Sequence, residues 1–407
     1  MPQNPWLTGW LKGDFKAHID VNHPLKSALW GELKGKGIIY PLKPDTPLKV
    51  NEVVLAATTH KINLQSADVT FSGSQLKAAG TMTRSAQNAL LDMDISADSL
   101  DLDQMMQVLT DNGGQTRGEK APYSEAVPVQ GEIRLKTDRF NIGRFTWQPL
   151  HADIRLESDA VDVNLKKAAL CGISTPGTLK VSPPNIEFDI EAVAKDQQLN
   201  PAKTCLVGET FKADGTYNLK GRFQGHGKAE DLLKTATGQV ELTARDGHIY
   251  HSVILIEVLK LMNTLEVLTG RANLKDMWKK GFGYHSFRVK AKLQDGKLRY
   301  EEAVLDGRPM NITAAGVHNL QSGRFDLTLL VAPLVTLDRI FEHIPLAGGI
   351  LRTLDVIPLS LKGTFDNIRI YPLAPSGVGY ELQEMMKKSV GRPIKFIHGG
   401  KAPGHNQ

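Results

Sequence analysis

The sequence predicts a mainly β protein: an extended, curved, mostly antiparallel sheet carrying a few short amphipathic helices. Three observations predict it. Apolar and polar residues alternate over most of the chain, as half-buried strands require. Glycine is abundant, 37 residues among 407, and recurs in short polar clusters between apolar runs, where tight turns belong. One segment, SVILIEVLKLMNTLEVLTG from Ser252 to Gly270, stands apart with a helical rhythm.

Residues 1–110 alternate along their length, including ALLDMDISADSLDL near the end, and predict a first β segment. The stretch 111–128, DNGGQTRGEKAPYSEAVP, loses apolar periodicity and predicts a mobile loop or insertion. Residues 129–220 resume the pattern in EIRLK, DIRLES and VDVNLK. In NIEFDIEA, Ile186, Phe188 and Ile190 fall on one side and Glu187, Asp189 and Glu191 on the other. Residues 221–375 contain an antiparallel meander with turn signals at Asp295-Gly296, Asp306-Gly307 and Ser322-Gly323. Its last strand places Phe325, Leu327, Leu329 and Val331 on one side. Residues 376–407 predict a short helix and a basic tail.

Within the helical segment, Ile254, Leu255, Val258, Leu261, Met262, Leu265 and Leu268 share an arc, with Glu257, Lys260, Asn263 and Thr264 opposite. Ser252 is placed to cap its start and Gly270 to end it. At about 24 Å it falls short of a bilayer span. Three placements stay open: across a face of the sheet, at a membrane surface, or closing a groove.

Signs of catalysis are missing. Lysine and arginine (49) barely exceed aspartate and glutamate (44) and are interspersed with them, which argues against the basic face of a nucleic-acid binder. No secretory signal and no run of roughly 18 apolar residues is present. GHGKAEDLLKTATG, Gly225 to Gly238, lacks the Lys-Ser/Thr ending of a phosphate loop. His226, His248 and His251 have no carboxylate-rich set to complete a zinc site. Glu301 and Glu302 are adjacent, so a regular strand would point them to opposite sides. No catalytic residue, metal or cofactor is expected. Cys171 and Cys205 are consistent with either a disulfide or two buried thiols.

The stretches GHGKAEDLLKTATGQVELTARDGHIYHSVILIEVLKLMN, VLDGRPMNITAAGVHNLQSGRFDLTLLVAPL and IPLAGGILRTLDVIPLSLKGTFDNIRIYPLAPS follow in that order. Together they resemble the C-terminal region of the AsmA-like family, related to TamB and other bacterial bridge-like lipid transfer proteins. The likeness covers about residues 215–380; upstream it is one of style. It implies a periplasmic protein of the repeating β-groove type, anchored in the inner membrane by an N-terminal helix that this chain lacks, so that the chain resembles a C-terminal portion. The implied role is non-enzymatic phospholipid transfer between inner and outer membranes, with acyl chains and both membranes as partners. Ile186, Phe188, Ile190, Phe325, Leu327, Leu329 and Val331 become groove candidates. Ile254, Val258, Leu261 and Leu265 become the helix's apolar face. An oxidising periplasm favours a bond between Cys171 and Cys205. The alternative role is assembly or translocation of outer-membrane proteins by strand addition.

Overall fold

A computed structural model describes residues 8–18, 28–43, 46–85, 88–111, 129–208, 212–250, 252–264, 281–308, 310–333, 354–364, 367–391 and 393–396. The fold is mainly β, 73% strand and 14% helical. It divides into two compact units, Met1–Ile190 and Glu191–Gln407.

The first unit contains β1 (Thr8–His18), β2 (Ala28–Lys43), β3 (Thr46–Ala57), β4 (Lys61–Phe71), β5 (Ser74–Arg84) and β6 (Ala89–Asp101). There follow β7 (Val129–Ile142), β8 (Phe145–Leu156), β9 (Val161–Leu170), the short β10 (Ile173–Ser174), β11 (Gly177–Ser182) and β12 (Asn185–Gln198), within which the unit boundary falls. From β1 to β6 each strand pairs antiparallel with its successor. The same holds from β7 to β9, and then for β9 with β11 and β11 with β12. β6 and β7 are parallel. Parallel neighbours need a crossover, and helix α1 (Leu102–Asp111) begins it. The Asp101 carboxylate accepts the Gln104 backbone N–H at 2.9 Å and caps that helix. The alternation predicts a β segment to 110, whereas the chain turns helical at Leu102; Asp101 followed three residues later by Gln104 was the available signal. Of the loop predicted at 111–128, Asp111 ends α1 and the remainder lies outside the described residues.

The ladders align apolar residues into rows across this unit. One row runs Leu33, Leu55, Leu64, Gly80, Met93. It continues through Ile133, Ile154, Val163, Leu179 and Phe188. Parallel rows on either side end at Ile186 and at Ile190, and they too contain only apolar residues and glycine from β3 to β12. Because side chains alternate, the rows between them form the opposite face. There Asp92, Glu132, Arg155, Asp162, Lys180 and Glu187 stand in line.

Alternation alone would not keep β4 in register. Leu64 and Ala67 are three residues apart yet share the apolar face, because a bulge at this point absorbs one extra residue. Gly131 lets the β6 backbone approach closely: its φ is +134°, and a Cβ would lie 1.9 Å from the Leu91 carbonyl oxygen.

The second unit contains helix α2 (Leu199–Val207), β13 (Lys212–Ala213), β14 (Thr216–Lys228), α3 (Leu232–Thr235), β15 (Thr237–Tyr250), α4 (Val253–Thr264) and β16 (Phe282–Gln294). Then come β17 (Lys297–Gly307), β18 (Met310–Asn319), β19 (Arg324–Pro333), β20 (Leu354–Thr364), β21 (Asn367–Pro372), the C-terminal helix α5 (Tyr380–Val390) and β22 (Ile394–Phe396). β14 to β21 form an antiparallel succession, and β22 adds in parallel to β20. Asp295 and Gly296, both at positive φ, make the tight turn between β16 and β17. Asp306-Gly307 is no turn centre: Gly307 pairs with Tyr284. A Cβ there would meet the Phe282 ring at 2.4 Å, so ring packing requires this glycine.

At the end of this sheet both faces are buried. Leu330, Ala332 and Val356 pack under α5 against Val378, Leu382 and Met386. Their neighbours Leu329, Val331, Ile357 and Leu359 lie on the other side and are buried as well. The continuous apolar run Leu329–Pro333 is the sequence mark of two-sided burial.

Replacing Gly131 by Val is expected to destabilise the first unit by about 2–4 kcal/mol. Gly143→Ala, at a turn with open space around it, should cost only about 1 kcal/mol. Urea melts of the two variants check the contrast.

Candidate functional site

The feature with functional character is the apolar face. In the first unit Ile186, Phe188 and Ile190 are half-buried and each closes one of the three apolar rows. In the second unit Phe325, Leu327, Leu329 and Val331 occupy four successive rows. Val331 continues from Phe287, Leu305 and Ile312 and leads to Ile357. Leu329 follows Leu242, Val289, Ala303 and Ala314. Phe325, Leu329 and Val331 are buried, and Leu327 is half-buried. The polar member among these rows is His318, paired with Phe325 and stacked on its ring at 4.0 Å. Burial pushes its imidazole pKa below the ordinary value, favouring the neutral form.

The opposite face of the first unit is a lattice of ion pairs. Arg134 reaches Asp92 and Asp94, both at 2.7 Å. Arg155 pairs with Glu132 at 3.1 Å, Lys180 with Asp162 at 3.5 Å, and Lys166 with Asp153. The hydrogen bond from Arg134 holds the Asp94 carboxyl below its ordinary value. A cavity of about 490 Å³ lies among Glu132, Arg155, Asp162, Lys180 and Glu187. Glu132 pairs there with Arg155 and Asp162 with Lys180 across neighbouring strands, and Glu187 stands opposite Lys180 in the ladder. Among the described residues no group of three or more histidines, cysteines or acids is placed to hold a metal.

The helix α4 is the longest described, at 12 residues. Ser252 starts it, its carbonyl accepting the Ile256 N–H at 2.9 Å. Leu255, Val258 and Leu259 are buried, while Ile254 and Leu261 are half-buried; Leu265 lies outside the described residues. The buried stripe thus includes Leu259, which the sequence arc omits, because positions i, i+3 and i+4 meet one surface. Lys260 is exposed and pairs with Glu257 at 2.7 Å. The helix packs against β21. No described helix is long and apolar enough to cross a membrane.

The weaker candidates resolve into structural roles. Glu301 and Glu302 do not point to opposite sides: Glu301 pairs with Lys292 at 2.6 Å and Glu302 with Arg288 at 3.4 Å. A bulge between Tyr300 and Ala303 puts both on the charged side. Gly225 to Gly238 runs from the end of β14 through a 3-10 turn at Ala229–Asp231 and the four-residue α3 into the start of β15. His248 sits 3.4 Å from Asp214 and His226 is exposed, while His251 lies outside the described residues.

Asp214 is the polar organiser that the sequence did not single out. Its carboxylate accepts the His248 backbone N–H and the Tyr250 hydroxyl, the latter at 2.9 Å. Its carbonyl accepts the buried Tyr284 hydroxyl at 2.7 Å. Burial, with the charges of Asp214 and Asp246, pushes Tyr284 up to about 12. Cys171 and Cys205 are both disulfide-bonded, and neither is a free thiol.

No family model, curated protein or solved structure matches the chain. The apolar rows and the paired charges behind them therefore carry the functional argument.

Tyr284 keeps its proton in the fold to a higher pH than in the unfolded chain, so its contribution is complete below about pH 10 and is lost as pH rises toward 12. The second unit should weaken across that window, and Tyr284→Phe should flatten the loss in thermal melts at stepped pH. Thiol titration of the denatured, unreduced protein should find no free sulfhydryl.

Proposed function

We propose that this protein is a non-enzymatic lipid-binding and lipid-conducting protein whose apolar face receives phospholipid acyl chains. The carrying observation is the unbroken set of three apolar rows from β3 to β12, backed by a charged face. Exposing one methylene to water costs about 0.8 kcal/mol, so an acyl chain of about 16 carbons faces roughly 12 kcal/mol unshielded. A strip of side chains without a single charge removes that barrier. In-strand glycines such as Gly131 lie in these same rows, and bending toward them makes the apolar side the concave one, a groove rather than a flat sheet.

The AsmA-like resemblance points the same way and supplies the setting: a periplasmic place between inner and outer membranes, and a part in outer-membrane maintenance. Disulfide-bonded cysteines suit that oxidising compartment. As a proposal, α4 covers the end of the second unit's own apolar rows, packing there against β21. Assembly of outer-membrane proteins by strand addition would call for a polar trough beside an open edge, and the charge-free rows favour lipid over it.

A photo-crosslinking residue placed at Phe188 should capture phospholipid from cells, and one at Glu187 on the opposite face should not. Phe188→Asp should lower the phospholipid that co-purifies, measured by mass spectrometry after solvent extraction. Equal capture at the two positions would defeat the proposal.

A further inference from the structure

On the first two strands the charged face changes character. Trp10, Lys12, Asp14 and Lys16 of β1 stand directly opposite Lys36, Lys34, Glu32 and Trp30 of β2. All eight side chains are exposed, Trp10 by 53% and Trp30 by 42%. Farther along the same face lysines and arginines close ion pairs with neighbouring acids. Here Lys12, Lys16, Lys34 and Lys36 close none among the described residues. Four lysines against Asp14 and Glu32 leave two positive charges in excess among these eight side chains. Glu52 of β3 stands beside Lys36 and is likewise unpaired among the described residues.

The spacing argues for the shape of the partner. Lys16 lies opposite Trp30, so the two indoles are six residues apart along the strands, about 20 Å. One small-molecule pocket does not hold two indoles so separated on one sheet face. A broad negative surface does, and indoles beside lysines suit the headgroup layer of a bilayer, where an aromatic ring meets both water and hydrocarbon.

We propose that this face of the β1–β2 hairpin docks on an anionic phospholipid membrane, with Trp10 and Trp30 at headgroup depth and the four lysines against lipid phosphates. It goes beyond acyl-chain binding, which uses the other face of the sheet, and either can hold without the other.

Purified full-length chain is sedimented with phosphatidylcholine vesicles, with or without phosphatidylglycerol. The expected result is at least about tenfold tighter binding to the anionic vesicles at low salt, declining as salt is raised. Lys12→Ser with Lys34→Ser should weaken it by about fivefold per lysine. Trp10→Ala with Trp30→Ala should also weaken it while leaving the circular dichroism spectrum and lipid crosslinking at Phe188 unchanged. Equal binding to both vesicle types, or full binding by the tryptophan variant, would overturn the proposal. So would capture of single-stranded DNA as tight as that of vesicles, which would make the patch a general polyanion site. Loss of Phe188 crosslinking with intact vesicle binding would refute only the acyl-chain reading.

Discussion

Cross-strand register is the constraint on which the rest depends. A slip of one residue between any two strands would carry that strand's apolar set to the charged side and break every row that crosses it. The charged face guards against such slips, because its ion pairs link specific partners across strands: Arg134 on β7 to Asp92 and Asp94 on β6, Arg155 on β8 to Glu132 on β7. As exposed pairs they add little stability individually. Their effect is on selection among registers, since a shifted strand would set an arginine against an apolar neighbour.

Bulges are how the sheet keeps its rows where the sequence breaks step. Between Leu64 and Ala67 stand Gln65 and Ser66; between Leu165 and Ala168, Lys166 and Lys167; between Tyr300 and Ala303, Glu301 and Glu302. Each interruption is a pair of polar residues between two residues of the apolar face. The extra residue is absorbed locally, and the alternation resumes in phase.

This explains what could be read from the chain. Ile186, Phe188 and Ile190 sit in uninterrupted alternation, so their shared face was legible from period alone; Phe325, Leu327 and Leu329 alternate in the same way until the run turns continuously apolar at Leu329. Glu301 and Glu302 were misplaced because strict alternation has no provision for a bulge, although the polar doublet marks one in retrospect. Leu259 was left out of the helix arc because a broad wheel does not say which edge meets the protein. Asp214 was illegible for another reason: its partners His248, Tyr250 and Tyr284 are distant in sequence, and only the fold brings them together. Leu330 and Ala332 lie under α5, a contact that strand periodicity cannot announce.

The parallel pairing of β6 with β7 bears on how the first unit is made. Up to Asp101 every pairing joins strands adjacent in the chain, so the sheet can lengthen hairpin by hairpin as the polypeptide is delivered. At β7 that order of growth stops. The next strand has to wait for residues 102–128 to emerge and bring Val129 back beside Ala89, the start of the strand it joins. Closing that longer loop carries a larger entropy loss before any ladder bond forms. Until then the Leu91–Ala97 edge of β6 stays open to any passing strand, which makes this joint the exposed moment in the unit's synthesis.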